Sequence, residues 1–274
     1  MSTGNNDFSS VSDRAAIILD ELMTAMKYDR PCICLAVYRS EYLRGEVSSR
    51  LENSLREQGS LPVEYCVDKA HFDIPLELLH HPTRQRSVFF VNGVRWGGGR
   101  GYSKAYRALN VHREYLVEGK VRSLFWLSMS EARLLPHYAP DFWAFRTSVT
   151  EFLDLPSNAD GPTREAVTTL TARPDHDDSD PLLLKKTARA YGQTGCFEDA
   201  LRYYHRALRY TPGDKSCWLA IASIHIQAMH PSSARRVLNR LNGLSGNDPG
   251  TQTEIIRLSR MVKSLEHISI SYPG

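Results

Sequence analysis

The segment that most constrains the fold is Cys32-Ile33-Cys34-Leu35-Ala36-Val37-Tyr38, an unbroken apolar run between Pro31 and Arg39. Such a run marks a strand buried on both faces, and strands of that kind belong to parallel sheets covered by helices. The flanking patterns agree. Asp13–Lys27 places Ala15, Ile18, Leu19, Leu22 and Met23 at helical spacing, with Ser12 or Asp13 as the expected cap. Ser40–Gln58 repeats Leu43, Val47, Leu51 and Leu55 at intervals of four and ends at Gly59. Further strands are predicted over Pro62–Val67, Ser87–Val94 and Val121–Met129, the last around Leu124-Phe125-Trp126-Leu127. Helices are predicted around Leu76–Leu79 and over Ser103–Lys120, Ser130–His137 and Pro140–Phe152. The alternation predicts an α/β domain: a mostly parallel sheet with helices on both faces, and a ligand crevice at the carboxyl ends of its strands.

Such a sheet raises the question of a nucleotide. A phosphate-binding loop needs glycines whose amides cradle phosphate, a lysine that neutralises it and a hydroxyl for Mg²⁺. After the first strand stands Arg39-Ser40-Glu41-Tyr42-Leu43-Arg44-Gly45-Glu46, with one glycine, no lysine and carboxylates that repel phosphate. The strand Phe89-Phe90-Val91 ends in Asn92-Gly93, so no carboxylate stands where Mg²⁺ is held through water. ATP hydrolysis is therefore not expected, and no catalytic residue, metal or cofactor is assigned. The alternative reading is a nucleotide- or anion-responsive switch that binds without hydrolysing. Its candidate residues are Arg39, Arg44, Arg95, Gly97, Gly98, Gly99, Arg100, Ser103 and Lys104, in a glycine-rich loop between a strand and a helix and in the segment after the first strand. The plainer reading of that loop is a connector whose Ser103 caps the next helix.

Pro156–Asp180 interrupts both patterns with Ser157-Asn158-Ala159-Asp160-Gly161-Pro162 and Pro174-Asp175-His176-Asp177-Asp178-Ser179-Asp180. It reads as an acidic linker holding one short helix, Thr163–Ala172; its acids lack the glycine and distal glutamate of a calcium loop. Beyond it the charge changes sign. Pro181–Glu266 carries 13 basic against 6 acidic side chains, although the whole chain has a net charge of only +3. Two segments also align at a period of 34 residues: Trp218 follows Leu184, Ala222 follows Ala188 and Ala234 follows Ala200 at that interval. Small residues there let paired helices approach closely.

Composition bounds the remaining classes. With 42% hydrophobic and 24% charged residues in 274, the chain can build a core, which excludes collagen-like and largely disordered proteins. No run is long and apolar enough for a membrane helix, and Met1–Ser12 lacks the pattern of a secretory signal. Cys32, Cys34, Cys66, Cys196 and Cys217 are few and odd in number, as expected of reduced thiols in the cytoplasm. The ten histidines fall into no zinc-protease spacing, and no nucleophile-elbow motif occurs.

Two resemblances follow from these residues. Ala108-Leu109-Asn110-Val111-His112-Arg113-Glu114-Tyr115-Leu116, then Leu124–Leu127, then Ala139-Pro140-Asp141-Phe142-Trp143-Ala144-Phe145-Arg146 and Phe152 resemble the NTPase-like module of bacterial STAND-type signalling proteins. The resemblance is to the degenerate form without Walker motifs, and it covers roughly residues 13–155. It implies a P-loop-NTPase-like sheet, a recognition or assembly role and, by the family's usual company, a bacterial conflict or anti-phage system with a separately encoded effector. Among its residues, Asp141 is expected to cap the helix after Pro140 and Trp143 to lie in the core.

Ala190-Tyr191-Gly192-Gln193-Thr194-Gly195, Asp199-Ala200-Leu201-Arg202-Tyr203-Tyr204 and Ala207-Leu208 with Pro212 resemble the tetratricopeptide repeat. The expected organisation is a tail (1–12), the α/β domain (13–155), the linker (156–180), repeats at 181–214 and 215–248, a capping helix (249–267) and a tail (268–274). Such repeats imply protein partners on a concave surface, here an acidic peptide or the effector. Lys185, Lys186, Arg189, Arg202, Arg206 and Arg209 are the candidate partner-binding residues. Self-association is compatible with this reading. Nucleic acid is the weaker alternative, because no zinc finger, RNA-binding aromatic motif or helix-turn-helix accompanies the cations, and no membrane partner is expected.

Overall fold

A computed structural model describes residues 10–99, 103–155, 180–246 and 248–270. The predicted linker helix Thr163–Ala172 lies outside them. Five strands form the sheet: β1 (Cys32–Tyr38), β2 (Leu61–Cys66), β3 (Ser87–Asn92), β4 (Arg122–Ser128) and β5 (Ser148–Phe152). Their order is β2-β3-β4-β1-β5 and every pairing is parallel, the P-loop-like arrangement. Because successive side chains alternate faces, each central strand feeds two cores. Cys34, Ala36, Phe90 and Trp126 pack with Ile18 and Leu22 of α1 (Val11–Lys27) and Val47 and Leu51 of α2 (Glu41–Glu57). Ile33, Leu35, Phe89 and Phe125 face the other layer, α3 (Ile74–His80), α4 (Lys104–Val111), α5 (Arg113–Glu118), α6 (Met129–Tyr138) and α7 (Pro140–Ala144).

Three expectations are corrected. The helix predicted over Pro140–Phe152 stops at Ala144, and Ser148–Phe152 is a fifth strand on the outer edge of β1. Its Val149 and Thr150 favour a strand, Thr150 and Phe152 are buried while Ser148 and Val149 are not, and β1 offers the open edge. The single helix predicted over Ser103–Lys120 divides at His112, whose ring hydrogen-bonds Asp73 at 3.0 Å and stacks on Tyr115. The first helix starts at Val11, inside the expected tail, because Ser10 and Asp13 form a reciprocal capping box.

Of two residue assignments, one changes and one holds in part. Asp141 does not cap α7; Asn110, at the end of α4, accepts the Asp141 N–H at 2.8 Å instead. Trp143 is half-buried and packs against the core cluster that holds Phe125 and Phe142, and the Arg146 guanidinium lies 4.2 Å from its ring.

The chain divides into two compact units, Met1–Asp154 and Leu155–Gly274. In the second, α8 (Pro181–Gln193), α9 (Phe197–Tyr210), α10 (Lys215–Gln227) and α11 (Pro231–Ser245) form two helical pairs, and α12 (Pro249–Ile270) follows. The starts of α8, α10 and α12 fall at intervals of 34 residues, as do those of α9 and α11. An aspartate repeats at the same interval before α8, α10 and α12. Asp180 accepts the Leu182 N–H, Asp214 the Ser216 and Cys217 N–H groups, and Asp248 the Thr251 N–H. Ala188, Ala200, Ala222 and Ala234 are all fully buried, so small residues do allow close helix approach. The last helix outruns its predicted end and continues to Ile270.

Candidate functional site

From β1 the chain crosses to the β2 edge of the sheet, and from β4 it crosses to β5 on the other side. The carboxyl ends of these adjacent strands are therefore the topological switch point. β1 delivers Tyr38, Arg39 and Ser40 there. The Ser40 hydroxyl accepts the Leu43 N–H at 3.3 Å and so caps α2. The first turn of α2 then holds Glu41, where a helix start favours negative charge.

Glu41 organises this end of the crevice. The Tyr38 hydroxyl donates to its Oε1 at 2.7 Å and Arg44 Nε to its Oε2 at 2.8 Å. Arg44 reaches across to β3, where its Nη1 donates to Asn92 Oδ1 at 3.2 Å, and the Asn92 amide donates to Glu64 of β2 at 3.2 Å. Burial, ahead of the neighbouring carboxylates, raises the Tyr38 phenol well above its ordinary pKa. Glu41 thus supplies the negative charge that faces Arg44 at this end of the crevice.

A second network lies beside it. Ser128, the last residue of β4, caps α6 in a capping box with Glu131. The Glu131 carboxylate accepts the Ser128 N–H and the Arg95 N–H, each at 2.9 Å, and Arg95 Nη1 donates to Ser130 at 3.1 Å. Burial pushes the Glu131 carboxyl above the usual glutamate range, against the pull of the Arg95 charge and the N–H donors.

The glycine-rich loop has its own internal bonding. The Gly98 N–H donates to Trp96 O at 2.7 Å and the Lys104 N–H to Gly98 O at 2.9 Å. The Ser103 hydroxyl donates to Val94 O at 2.6 Å and accepts the Ala105 N–H at 3.1 Å. Gly97 is required by packing: a Cβ there would stand 2.6 Å from both Ala105 Cβ and Ser103 Oγ. Gly98 and Gly99 adopt positive φ, +70° and +103°, which side chains rarely tolerate.

The candidate residues therefore separate. Arg44 and Arg95 engage Glu41 and Ser130, while Lys104 lies 5.4 Å from the Phe72 ring and Gly98 sits against Lys69. Arg39 follows β1, its N–H bonded to Phe152 O at 3.3 Å. Arg100 lies outside the described residues. Sequence reasoning missed Tyr38, Glu41 and Glu131 as the centres of these networks. Ser128-Met129-Ser130-Glu131 did carry a signal, the spacing of a capping box.

In the second unit the candidate cations also divide. Lys185 donates to Asp214 at 2.7 Å and Arg202 to Asp199 at 2.7 Å. The Arg202 and Arg206 guanidiniums lie 5.5 and 5.3 Å from the Tyr203 ring, which stacks on Tyr191. Lys186, Arg189 and Arg209 are exposed and make no ion pair among the described residues. Among those residues no acidic, histidine and cysteine cluster is arranged to hold a metal, and no helix is long and apolar enough to cross a membrane.

No family model matches the chain, and no curated protein does. Among solved structures it is similar to the Aeropyrum pernix ORC2 protein in its ADPNP–ADP complexes, at 12% identity over 96% of this chain and 94% of that one, with a TM-score of 0.38. The P-loop-like fold is defined by the strand order and pairing, not by this likeness.

Proposed function

We propose that this chain is a non-catalytic signalling or assembly adaptor: a degenerate STAND-like α/β domain joined to a short tetratricopeptide-like array, each contacting protein partners. One observation supports it above others. Two of the cations near the switch point are held by the chain's own groups, Arg44 by Glu41 and Arg95 by Ser130 with its backbone on Glu131. A site built for phosphate keeps such donors for its ligand. The exposed Lys186, Arg189 and Arg209 instead suit an acidic protein surface. The bacterial defence setting with a separate effector is proposed on the family resemblance alone.

Calorimetric titration with ATP, ADP and GTP, with and without Mg²⁺, tests this reading. The expected result is no heat of binding from the folded protein. Micromolar binding, abolished by a combined Arg100→Ala and Lys104→Ala variant, would replace it with the nucleotide-responsive switch. Binding to mixed-sequence DNA or RNA that falls steeply with salt would favour the nucleic-acid reading instead.

A further inference from the structure

The 34-residue register gives α12 a defined place: it starts where the first helix of a third pair starts. In the first pair, Ala188 of α8 packs in one cluster with Ala200 of α9. In the second, Ala222 and Ile226 of α10 pack with Ala234 and Leu238 of α11. Each of these first helices thus buries one stripe under the second helix of its own pair. The corresponding stripe on α12 has no such cover among the described residues. Ala222 is fully buried, whereas Ile256, 34 residues on, is 52% exposed; Ile226 is 5% exposed, whereas its counterpart Arg260 is exposed.

The uncovered stripe borders a groove of about 390 Å³ between α11 and α12. Ile256 is the exposed apolar residue of this groove, with Leu238 and Ile255 buried beneath it; Gln252 donates to Asn242 at 3.3 Å, and Arg260 and Lys263 also line the groove. Among the described residues no carboxylate lines it. The nearby acids are engaged elsewhere, Glu254 with Arg257 and Glu266 with Arg235. Arg260 and Lys263 make no ion pair among the described residues.

We infer that this groove receives an acidic amphipathic helix from a partner protein, which completes the third helical pair. An exposed apolar residue between two adjacent helices fits a helix, because a helix presents apolar residues at i, i+4 and i+7 along one face. The unopposed cations select for acids on its flank. They also select against a second copy of this chain docking by the same face, which would bring Arg260 and Lys263 of both copies together. The inference deepens the adaptor reading and rests on it.

Two labelled 15-residue helical peptides serve as probes in fluorescence anisotropy against the full chain. Both carry alanine, leucine and leucine in the spacing of Ala234, Leu238 and Leu241; one has glutamates on its flank and the other lysines. The acidic peptide is expected to bind saturably and about tenfold more tightly than the basic one. Ile256→Asp is expected to weaken it about tenfold without lowering the melting temperature, since that side chain is already half exposed. A combined Arg260→Glu and Lys263→Glu variant is expected to reverse the preference between the two peptides. Equal binding of both, or no loss in Ile256→Asp, would overturn the inference. So would a dimer in sedimentation equilibrium that Ile256→Asp disperses, because the occupant would then be a second copy. Either failure leaves the adaptor reading to its own nucleotide titration, in which this groove plays no part.

Discussion

Glu131 binds two backbone donors from different segments: the Ser128 N–H at its own helix start and the Arg95 N–H in the loop after β3, each at 2.9 Å. Glu131 is 2% exposed and ties the end of β4 to the segment after β3, beside the switch point. Glu131→Ala would leave both donors unsatisfied and remove a cap, at a cost of about 2–4 kcal/mol. Glu131→Gln keeps one acceptor oxygen and should cost about half as much. Urea unfolding measures both. A loss below about 0.5 kcal/mol in the alanine variant would show that water replaces the carboxylate.

Gly97 separates the two meanings of the glycine-rich loop. Gly97→Ala forces a methyl to within 2.6 Å of Ala105 Cβ and Ser103 Oγ, so it should destabilise by about 1–3 kcal/mol. Thermal melting reads this without any ligand. An unchanged melting temperature would mean that packing does not explain this glycine.

Asn110 caps a helix that it does not belong to. Its Oδ1 accepts the Asp141 N–H at 2.8 Å, and its amide donates to Asp141 at 3.3 Å. Asn110→Ala should cost about 1–2 kcal/mol, whereas Asn110→Asp keeps the acceptor but places a second carboxylate against Asp141. Melting curves at neutral pH should place both variants below wild type; an unchanged melting temperature in the alanine variant would show that Asn110 is not needed as the cap.

Asp214 predicts the acid limb of the second unit. Burial works against its carboxylate, yet hydrogen bonds from Lys185, Ser216 and the Cys217 N–H hold its pKa at about 2, below the ordinary 3.8. The folded pKa is the lower one. The stabilisation is therefore complete above pH 3.8 and is lost as pH falls toward about 2. Asp214→Asn keeps the cap and should flatten that limb; Asp214→Ala should also cost about 0.5–2 kcal/mol at neutral pH. An acid limb unchanged in both variants would assign it to other carboxylates.

The amino-acid sequence determined the elements whose signals are local. The unbroken apolar run Cys32–Tyr38 records a strand buried on both faces, whereas the spacing of Leu43, Val47, Leu51 and Leu55 and the interval from Ala188 to Ala222 record one buried face, and these patterns are local. The tertiary structure decided what depends on neighbours distant in sequence. Ser148–Phe152 is a strand because β1 offers it an open edge, and Asn110 is a cap because α4 ends beside α7. The same holds at the switch point. Arg44 and Arg95 read as anion-binding candidates in the sequence; Glu41 is a local partner of Arg44 three residues before it on the same helix, but only the fold sets Asn92 of β3 against Arg44, and Ser130 and Glu131 against Arg95.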